Sequence, residues 1–200
     1  MFTSNCRFQK GLSMLKNYQK EKAFNAMIFF IERTTLCNKK KLYKLLFLFD
    51  FEHFEQTGRN VTGFDYFAWR MGPVPTVLHE AIEFNKDSFE AYLGVETSKD
   101  KRGFTTVSFE IRQPFEPKYF TRRELRLLND LADRFEMMSG DDMEAFTHRQ
   151  GTPWYQVWEV EQREQGQIPY EYALNHLDPN KKDIILDIAR DRETFIENYR

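Results

Sequence analysis

The sequence has few cysteines and no long apolar run. Its two cysteines, Cys6 and Cys37, form no metal-binding or redox spacing, and such scarcity is typical of a reducing cytoplasm. The longest apolar runs, residues 26–31 and 45–49, are far shorter than the ~20 residues that span a bilayer. Residues 1–20 show no secretory signal. The sequence therefore predicts a cytoplasmic protein without a membrane partner.

An excess of positive charge is also missing. The 29 basic and 31 acidic side chains give a net charge of −2, whereas dedicated nucleic-acid-binding domains are usually basic. We therefore expect no nucleic-acid partner. One alternative stays open, a DNA-binding transcriptional autoregulator that contacts its promoter through the helix at 38–56. This helix begins with the lysines at 39, 40, 41 and 44, but lysines in such a run are more often a solvated face.

Motifs for catalysis are absent as well. His79-Glu80 begins like a zinc-protease helix, but Glu83 stands where the second histidine ligand belongs. The nine glycines form no phosphate-binding or dinucleotide-binding loop. We therefore predict no enzyme activity, no cofactor and no metal. A hydrolase or nuclease site built from Asp50 and His148 is kept as a residual alternative.

Aromatic residues, in contrast, are abundant. They make up 16% of the chain, and 20 of the 200 residues are phenylalanine. Each buried aromatic side chain removes roughly 150–250 Å² from water. A chain of this length and composition can therefore build one domain core without disulfides or a structural metal.

Helical periodicity dominates both halves of the chain. Residues 21–34 predict a first helix, and Asn38 then caps a second helix that ends at Gly58 in a left-handed conformation. Residues 42–51 of this second helix are apolar nearly all round, which predicts the central helix of the core. Capping signals predict three helices in the C-terminal half, beginning at Thr121, Thr152 and Asp178, and residues 139–148 predict a further short helix.

Strand signals are fewer. Residues 62–70 and 104–112 alternate in polarity and predict strands, and residues 98–103 predict a charged loop between elements. Residues 71–75 are predicted to be irregular because Pro73 and Pro75 lack amide donors. Residues 74–85 predict a short helix.

These elements predict the α+β class, predominantly helical. We expect a compact single domain with a buried central helix and a small β-sheet or hairpin. Residues 1–20 are predicted to be an N-terminal extension, residues 21–176 the domain itself, and residues 177–200 a C-terminal helix.

An ordered set of motifs is found between residues 41 and 75 and again before residue 155. The motifs are Phe49-Asp50-Phe51, Thr57-Gly58-Arg59 with Thr62-Gly63, Tyr66 with Trp69, Gly72-Pro73-Val74-Pro75, and Thr147-His148 followed by Pro153-Trp154. In this order they resemble the Panacea, or SocA-like, antitoxin domain, and the resemblance covers roughly residues 21–165.

The resemblance implies a non-enzymatic antitoxin, encoded beside a toxin in bacteria or prophages. Such a protein neutralises its cognate protein toxin by direct contact. The resemblance does not identify the toxin, and it leaves open whether the antitoxin blocks an active site or acts like a chaperone. Self-association into a homo-oligomer also stays open.

We predict that the partner binds where the aromatic strand end, the proline loop and the later His–Trp segment meet. The predicted partner-binding residues are Trp69, Arg70, Gly72, Pro73, Pro75, His148 and Trp154. Prolines reduce the entropy that a loop loses on docking, and Trp and Arg often dominate interface energetics. Asp50, inside an apolar helix, is predicted to be a buried structural residue that caps a loop or meets a cation.

Overall fold

The structure is a computed structural model that describes residues 17–99, 101, 103 and 105–198. The helices are α1 (Asn17–Arg33), α2 (Lys39–Thr57), α3 (Thr76–Phe84), α4 (Arg122–Phe135), α5 (Gly140–Thr147), α6 (Pro153–Tyr155) and α7 (Pro179–Asn198). The strands are β1 (Tyr66–Trp69), β2 (Gly72–Pro75), β3 (Leu93–Lys99) and β4 (Thr105–Ile111). They form two separate antiparallel hairpins, β1–β2 and β3–β4. The predicted α+β, predominantly helical class is confirmed.

Helix α2 is the centre of the core, as its sequence predicts. Asn38 caps it by accepting a hydrogen bond from the Lys41 N–H at 3.0 Å. Gly58 ends it with a φ of +66°, the left-handed conformation that glycine adopts without a steric penalty. Thirteen of its side chains are buried, because α1, α4, α5, α7 and β2 all pack around it.

Helix α1 begins earlier than predicted. It starts at Asn17, so residues 17–20, predicted to be part of an extension, belong to the helix. Tyr18 already contacts the domain, since its hydroxyl donates to the Tyr119 carbonyl at 2.8 Å. Residues 1–16, the rest of the predicted extension, lie outside the described residues.

The prediction that residues 71–75 are irregular is wrong. Gly72–Pro75 is a strand that pairs with β1 in antiparallel register, with Pro75 opposite Tyr66 and Pro73 opposite Ala68. The expectation rested on the general rule that a proline lacks the amide donor that a paired strand needs.

The prolines are tolerated because of the side to which their nitrogens point. The main-chain groups of Tyr66 and Ala68 bond to the segment 165–168 on the other side of β1, at 2.8 Å. Main-chain groups alternate in direction along a strand, so Phe67 and Trp69 face β2. Their partners are Val74 and Gly72, which are not prolines. The missing N–H groups of the prolines would therefore point away from β1.

The second hairpin is only partly predicted. Strand β4 lies within the expected residues 104–112, and it pairs with β3 from Leu93–Ile111 to Lys99–Thr105. Strand β3 was not predicted, and residues 98 and 99, expected in a charged loop, belong to it. Its outer part, residues 96–99, is polar and exposed, so it shows no hydrophobic alternation to detect.

The capped helices of the C-terminal half are confirmed. Thr121 and Ser139 each form a capping box, and Thr152 caps α6, which continues as a π-helical turn over Gln156–Val160. Asp178 accepts from the Asn180 N–H before α7. Helix α7 packs against Gly58, and its Ile185 is buried with Phe54 and Leu174. In the described part of the chain, no helix has the length and apolarity to cross a bilayer.

The carboxylate of Asp50 joins α2 to the loop that leads into β1. Its Oδ1 accepts from the N–H groups of Val61 and Thr62, each at 2.8 Å. Its Oδ2 accepts from the hydroxyls of Thr62 and Tyr66. The side chain is completely buried, which raises the pKa of the carboxyl, while the four hydrogen bonds oppose that rise. Asp50 thus holds the loop against the central helix.

We expect Asp50→Ala to lower the free energy of unfolding by about 3 kcal/mol or more. The substitution leaves two buried N–H groups and two hydroxyls without their acceptor, and each unsatisfied buried donor costs about 1–3 kcal/mol. Urea denaturation measures the change. The control is Asp65→Ala, which removes an exposed carboxylate bonded to the Gln167 side chain and is expected to cost less than about 1 kcal/mol. Equal effects of the two substitutions would contradict the role of Asp50.

Candidate functional site

The predicted partner-binding residues come together where the β1–β2 turn meets α6. The Trp154 Nε1–H donates to the main-chain carbonyl of Trp69 at 2.9 Å. The Trp69 ring in turn contacts the edge of the His79 ring, with 4.9 Å between the ring centroids. The hairpin and the later His–Trp segment therefore form one continuous part of the structure.

A row of stacked rings supports this region. The His148 and Trp154 rings are parallel within 5° and 3.6 Å apart, and the Trp154 and Trp158 rings lie 5.5 Å apart at 14°. Trp154, in the middle, is buried, and the outer two rings are half-buried. Trp158 was not among the predicted site residues. Its spacing of four residues from Trp154 is the helical signal that indicates a shared face.

The predicted residues divide by exposure. Arg70 is exposed and makes no ion pair or side-chain hydrogen bond within the described residues, and Met71 beside it is 52% exposed. Trp69 and His148 are half-buried. We call these four residues the hairpin surface. The remaining predicted residues are buried beneath it: Gly72, Pro73, Pro75 and Trp154.

Beneath the hairpin lies Lys44, which the sequence analysis placed on a solvated face. That assignment is wrong, because Lys44 is only 1% exposed and its Nζ donates to the Pro73 carbonyl at 3.3 Å. Lys41 is also buried, and its Nζ donates to the carbonyls of Thr35 and Glu136. At these two positions α2 is covered by the elements packed around it, so the two side chains do not reach solvent.

Gly72 is required at its position for two reasons. Its φ of +100° is strained for any residue with a Cβ, and such a Cβ would lie 2.6 Å from Lys44 Cε. It would also lie 3.2 Å from the Thr147 Oγ1. Lys44 and Thr147, which lie against the hairpin here, were not among the predicted site residues. The signal for Lys44 was its place as one of two polar residues in the apolar run 42–51.

Burial shifts the titratable groups under the hairpin toward their neutral forms. Burial lowers the pKa of Lys44 to about 7, against the opposing effect of the Glu144 carboxylate. That carboxylate is itself paired with Lys40, which also binds Asp141, each at 2.7 Å. Burial also lowers the pKa of His148, whose buried Nε2 has no hydrogen-bond partner among the described residues. Burial therefore favours the neutral imidazole.

These positions also bear on the lysine-led helix of the DNA-binding alternative. Lys39 is paired with Glu83, Lys40 with two acids of α5, and Lys41 and Lys44 are buried. The four lysines do not form a common basic face toward which a phosphate backbone could dock.

The residual hydrolase or nuclease hypothesis required Asp50 and His148 in one site. The Asp50 carboxylate bonds only to the loop and strand at 61–66, whereas His148 stacks on Trp154. No described contact joins the two residues. Across residues 17–99 and 105–198, no His, Cys, Asp and Glu side chains are grouped as a metal ion would require.

Comparison with known proteins gives one match. The family model described as "Antitoxin SocA-like, Panacea domain" matches residues 42–155. The matched range runs from the first turn of α2 through both hairpins to the end of α6. A search of curated proteins and a search of solved structures each found no match.

The buried amine of Lys44 predicts a distinctive pH dependence of stability. Its pKa is about 7 in the folded chain against an ordinary 10.5. Between these values the unfolded chain binds more protons, so the wild type gains stability as the pH rises, by up to about 1.4 kcal/mol per pH unit. Lys44→Met removes this gain. We expect the stability of the variant relative to the wild type to fall by about 2 kcal/mol from pH 7 to pH 9.

Urea denaturation of both proteins at the two pH values measures this difference. Lys39→Met is the control, because Lys39 is half-exposed and paired with Glu83 on the surface. The control is expected to follow the wild type across this pH range. Parallel profiles for the wild type and Lys44→Met would show that the amine is not desolvated beneath the hairpin.

Proposed function

The chain belongs to the SocA-like antitoxin family with the Panacea domain, and from this membership we propose that it neutralises a protein toxin by binding it directly. The observation that carries the proposal is the family match over residues 42–155. That range contains most of the central helix, the β1–β2 hairpin and the stacked rings of His148 and Trp154. The toxin is encoded beside the antitoxin, and the two proteins meet in the bacterial cytoplasm.

The toxin binds the hairpin surface. The rigidity of the hairpin supports this choice of surface. Strand β1 forms main-chain hydrogen bonds on both sides, and Pro73 and Pro75 restrict the backbone of β2. A surface that is already ordered loses little conformational entropy when a partner docks. The stacked rings of His148 and Trp154 stiffen the neighbouring segment in the same way.

The exposed side chains of the hairpin surface indicate which chemical groups the toxin would present to them. Arg70 has five N–H donors and no partner among the described residues, and the apolar surfaces of Trp69 and Met71 flank it. We therefore expect the toxin to present a carboxylate surrounded by apolar side chains. A guanidinium and a carboxylate form two parallel charge-assisted hydrogen bonds. Arg and Trp are also the side chains whose loss most often weakens an interface.

Co-expression with the adjacent reading frame tests the proposed function. We expect the adjacent product to arrest growth when it is expressed alone, and this protein to restore growth when both are present. The proposal fails if the adjacent product is harmless, or if growth stays arrested in the presence of this protein.

Arg70→Ala tests the proposed surface. We expect it to weaken binding of the adjacent gene product by about 2 kcal/mol or more, as loss of a central interface arginine does. The melting temperature should stay nearly unchanged, because an exposed side chain alters stability by only about ±0.5 kcal/mol. Titration calorimetry and a melting curve measure the two quantities.

Arg126→Ala is the matched control for this test. Arg126 is an exposed arginine on α4 without a described ion-pair partner, so its loss removes the same charge away from the hairpin. We expect its affinity to equal that of the wild type. Wild-type affinity in Arg70→Ala as well would place the interface elsewhere on the molecule.

A further inference from the structure

A second concave feature lies apart from the hairpin surface. It is a cleft of about 520 Å³ between the start of α1, the end of α2 with its following loop, and the start of α4. The lining residues with charged, polar or aromatic groups include Tyr18, Lys22, His53, Arg59, Arg123 and Glu124. His53 is nine residues beyond Lys44 on α2, which separates the cleft from the hairpin support by roughly 13 Å along the helix.

The charges of the cleft do not balance. Lys22 and Glu124 form a buried ion pair at 2.5 Å, and the second oxygen of Glu124 accepts from the Thr121 N–H at 2.7 Å. The charges of these two side chains therefore cancel. Arg59 and Arg123 are exposed and have no carboxylate partner among the described residues. Arg123 makes only a long hydrogen bond to the Gln56 carbonyl at 3.5 Å. The cleft keeps two unpaired guanidinium groups.

His53 supplies a hydrogen-bond acceptor. Its Nδ1 lies 2.6 Å from the main-chain carbonyl of Arg59. A carbonyl only accepts, so Nδ1 carries the proton and Nε2 keeps its lone pair. Burial lowers the pKa of His53, which favours this neutral form. No described side chain or main-chain group donates to Nε2.

Tyr18, at the start of α1, supplies an aromatic ring to the lining of the cleft. The residue is 55% exposed, and its hydroxyl donates to the Tyr119 carbonyl at 2.8 Å. The Lys22 ammonium lies 5.1 Å from the ring centroid, which fixes the ring from one side. An exposed and anchored ring of this kind is a stacking platform for a nucleobase.

We propose that the cleft binds a small phosphorylated ligand of the nucleoside phosphate class. Arg59 and Arg123 hold the phosphate groups, which guanidinium donors bind bidentately. Tyr18 stacks on the base, and His53 Nε2 accepts from a hydroxyl or N–H of the ligand. The volume of the cleft lies within the range of about 300–1,000 Å³ that is usual for small-molecule sites. Residues 1–16, which precede α1, carry three basic and no acidic residues, so they do not complement this charge.

Calorimetric titration of the full chain with ATP at low ionic strength tests the proposal. We expect saturable binding that Arg59→Ala and Arg123→Ala each weaken by about tenfold or more, the effect of losing one charge-assisted contact. Arg59→Ala leaves the His53 hydrogen bond in place, because the main-chain carbonyl makes it. Arg126→Ala, on the same helix as Arg123 but outside the cleft, should bind ATP like the wild type. Melting curves establish that each variant is folded.

Two further ligands distinguish the source of the phosphate. Pyrophosphate should compete with ATP, whereas a single-stranded oligonucleotide should bind no better than ATP at equal phosphate concentration. The proposal is overturned if ATP shows no saturable binding at millimolar concentrations, or if Arg59→Ala and Arg123→Ala bind it like the wild type. Binding of the oligonucleotide without binding of ATP would also overturn it and would make the cleft a nucleic-acid contact. None of these results depends on the toxin.

Discussion

The position of the β1–β2 hairpin depends on the buried carboxylate of Asp50. Without an acceptor at this point of α2, the N–H groups of Val61 and Thr62 and the hydroxyl of Tyr66 would be buried and unsatisfied. The hydrogen bonds to Asp50 fix the position of the loop after α2, and β1 begins at Tyr66, whose hydroxyl bonds to the same carboxylate. Lys44, six residues earlier on the same helix, bonds to the other strand through the Pro73 carbonyl. Two polar residues in an apolar helix thus hold the two strands of one hairpin.

Helical periodicity and capping residues predicted most of the helices, but they predicted few of the buried contacts that hold the β1–β2 hairpin. Asn38, Gly58 and Thr121 act through neighbouring main-chain groups, so their capping roles could be predicted from the sequence. Strand β2 could not be predicted from the sequence. A strand tolerates a proline only when the proline nitrogen points away from the paired strand, and the sequence does not give that direction. That direction depends on the segment 165–168, which bonds to the far side of β1. Lys44 was misplaced for a related reason, since a lysine is assigned to solvent until the surrounding elements are known.

Buried and exposed residues of the predicted site are constrained in different ways. Gly72 and Trp154 are set by contacts within the domain, so substitution there changes the core before it changes any interface. Arg70 and Met71 are exposed at the turn, so substitution there alters the surface at which we propose that the toxin binds and leaves the hairpin in place. A stable support with exposed residues that can change independently is compatible with the proposed binding of one specific toxin.

Hydrogen–deuterium exchange of the chain alone, and of the chain bound to the adjacent gene product, tests this account most directly. The account places the toxin on the hairpin surface, so the amides of the turn at Arg70 and Met71 and of the exposed residues 149–151 should exchange more slowly in the complex. The amides of α7 should exchange at the same rate in both states. Slower exchange confined to α7 or to β3–β4, with no change at the hairpin turn, would contradict the account.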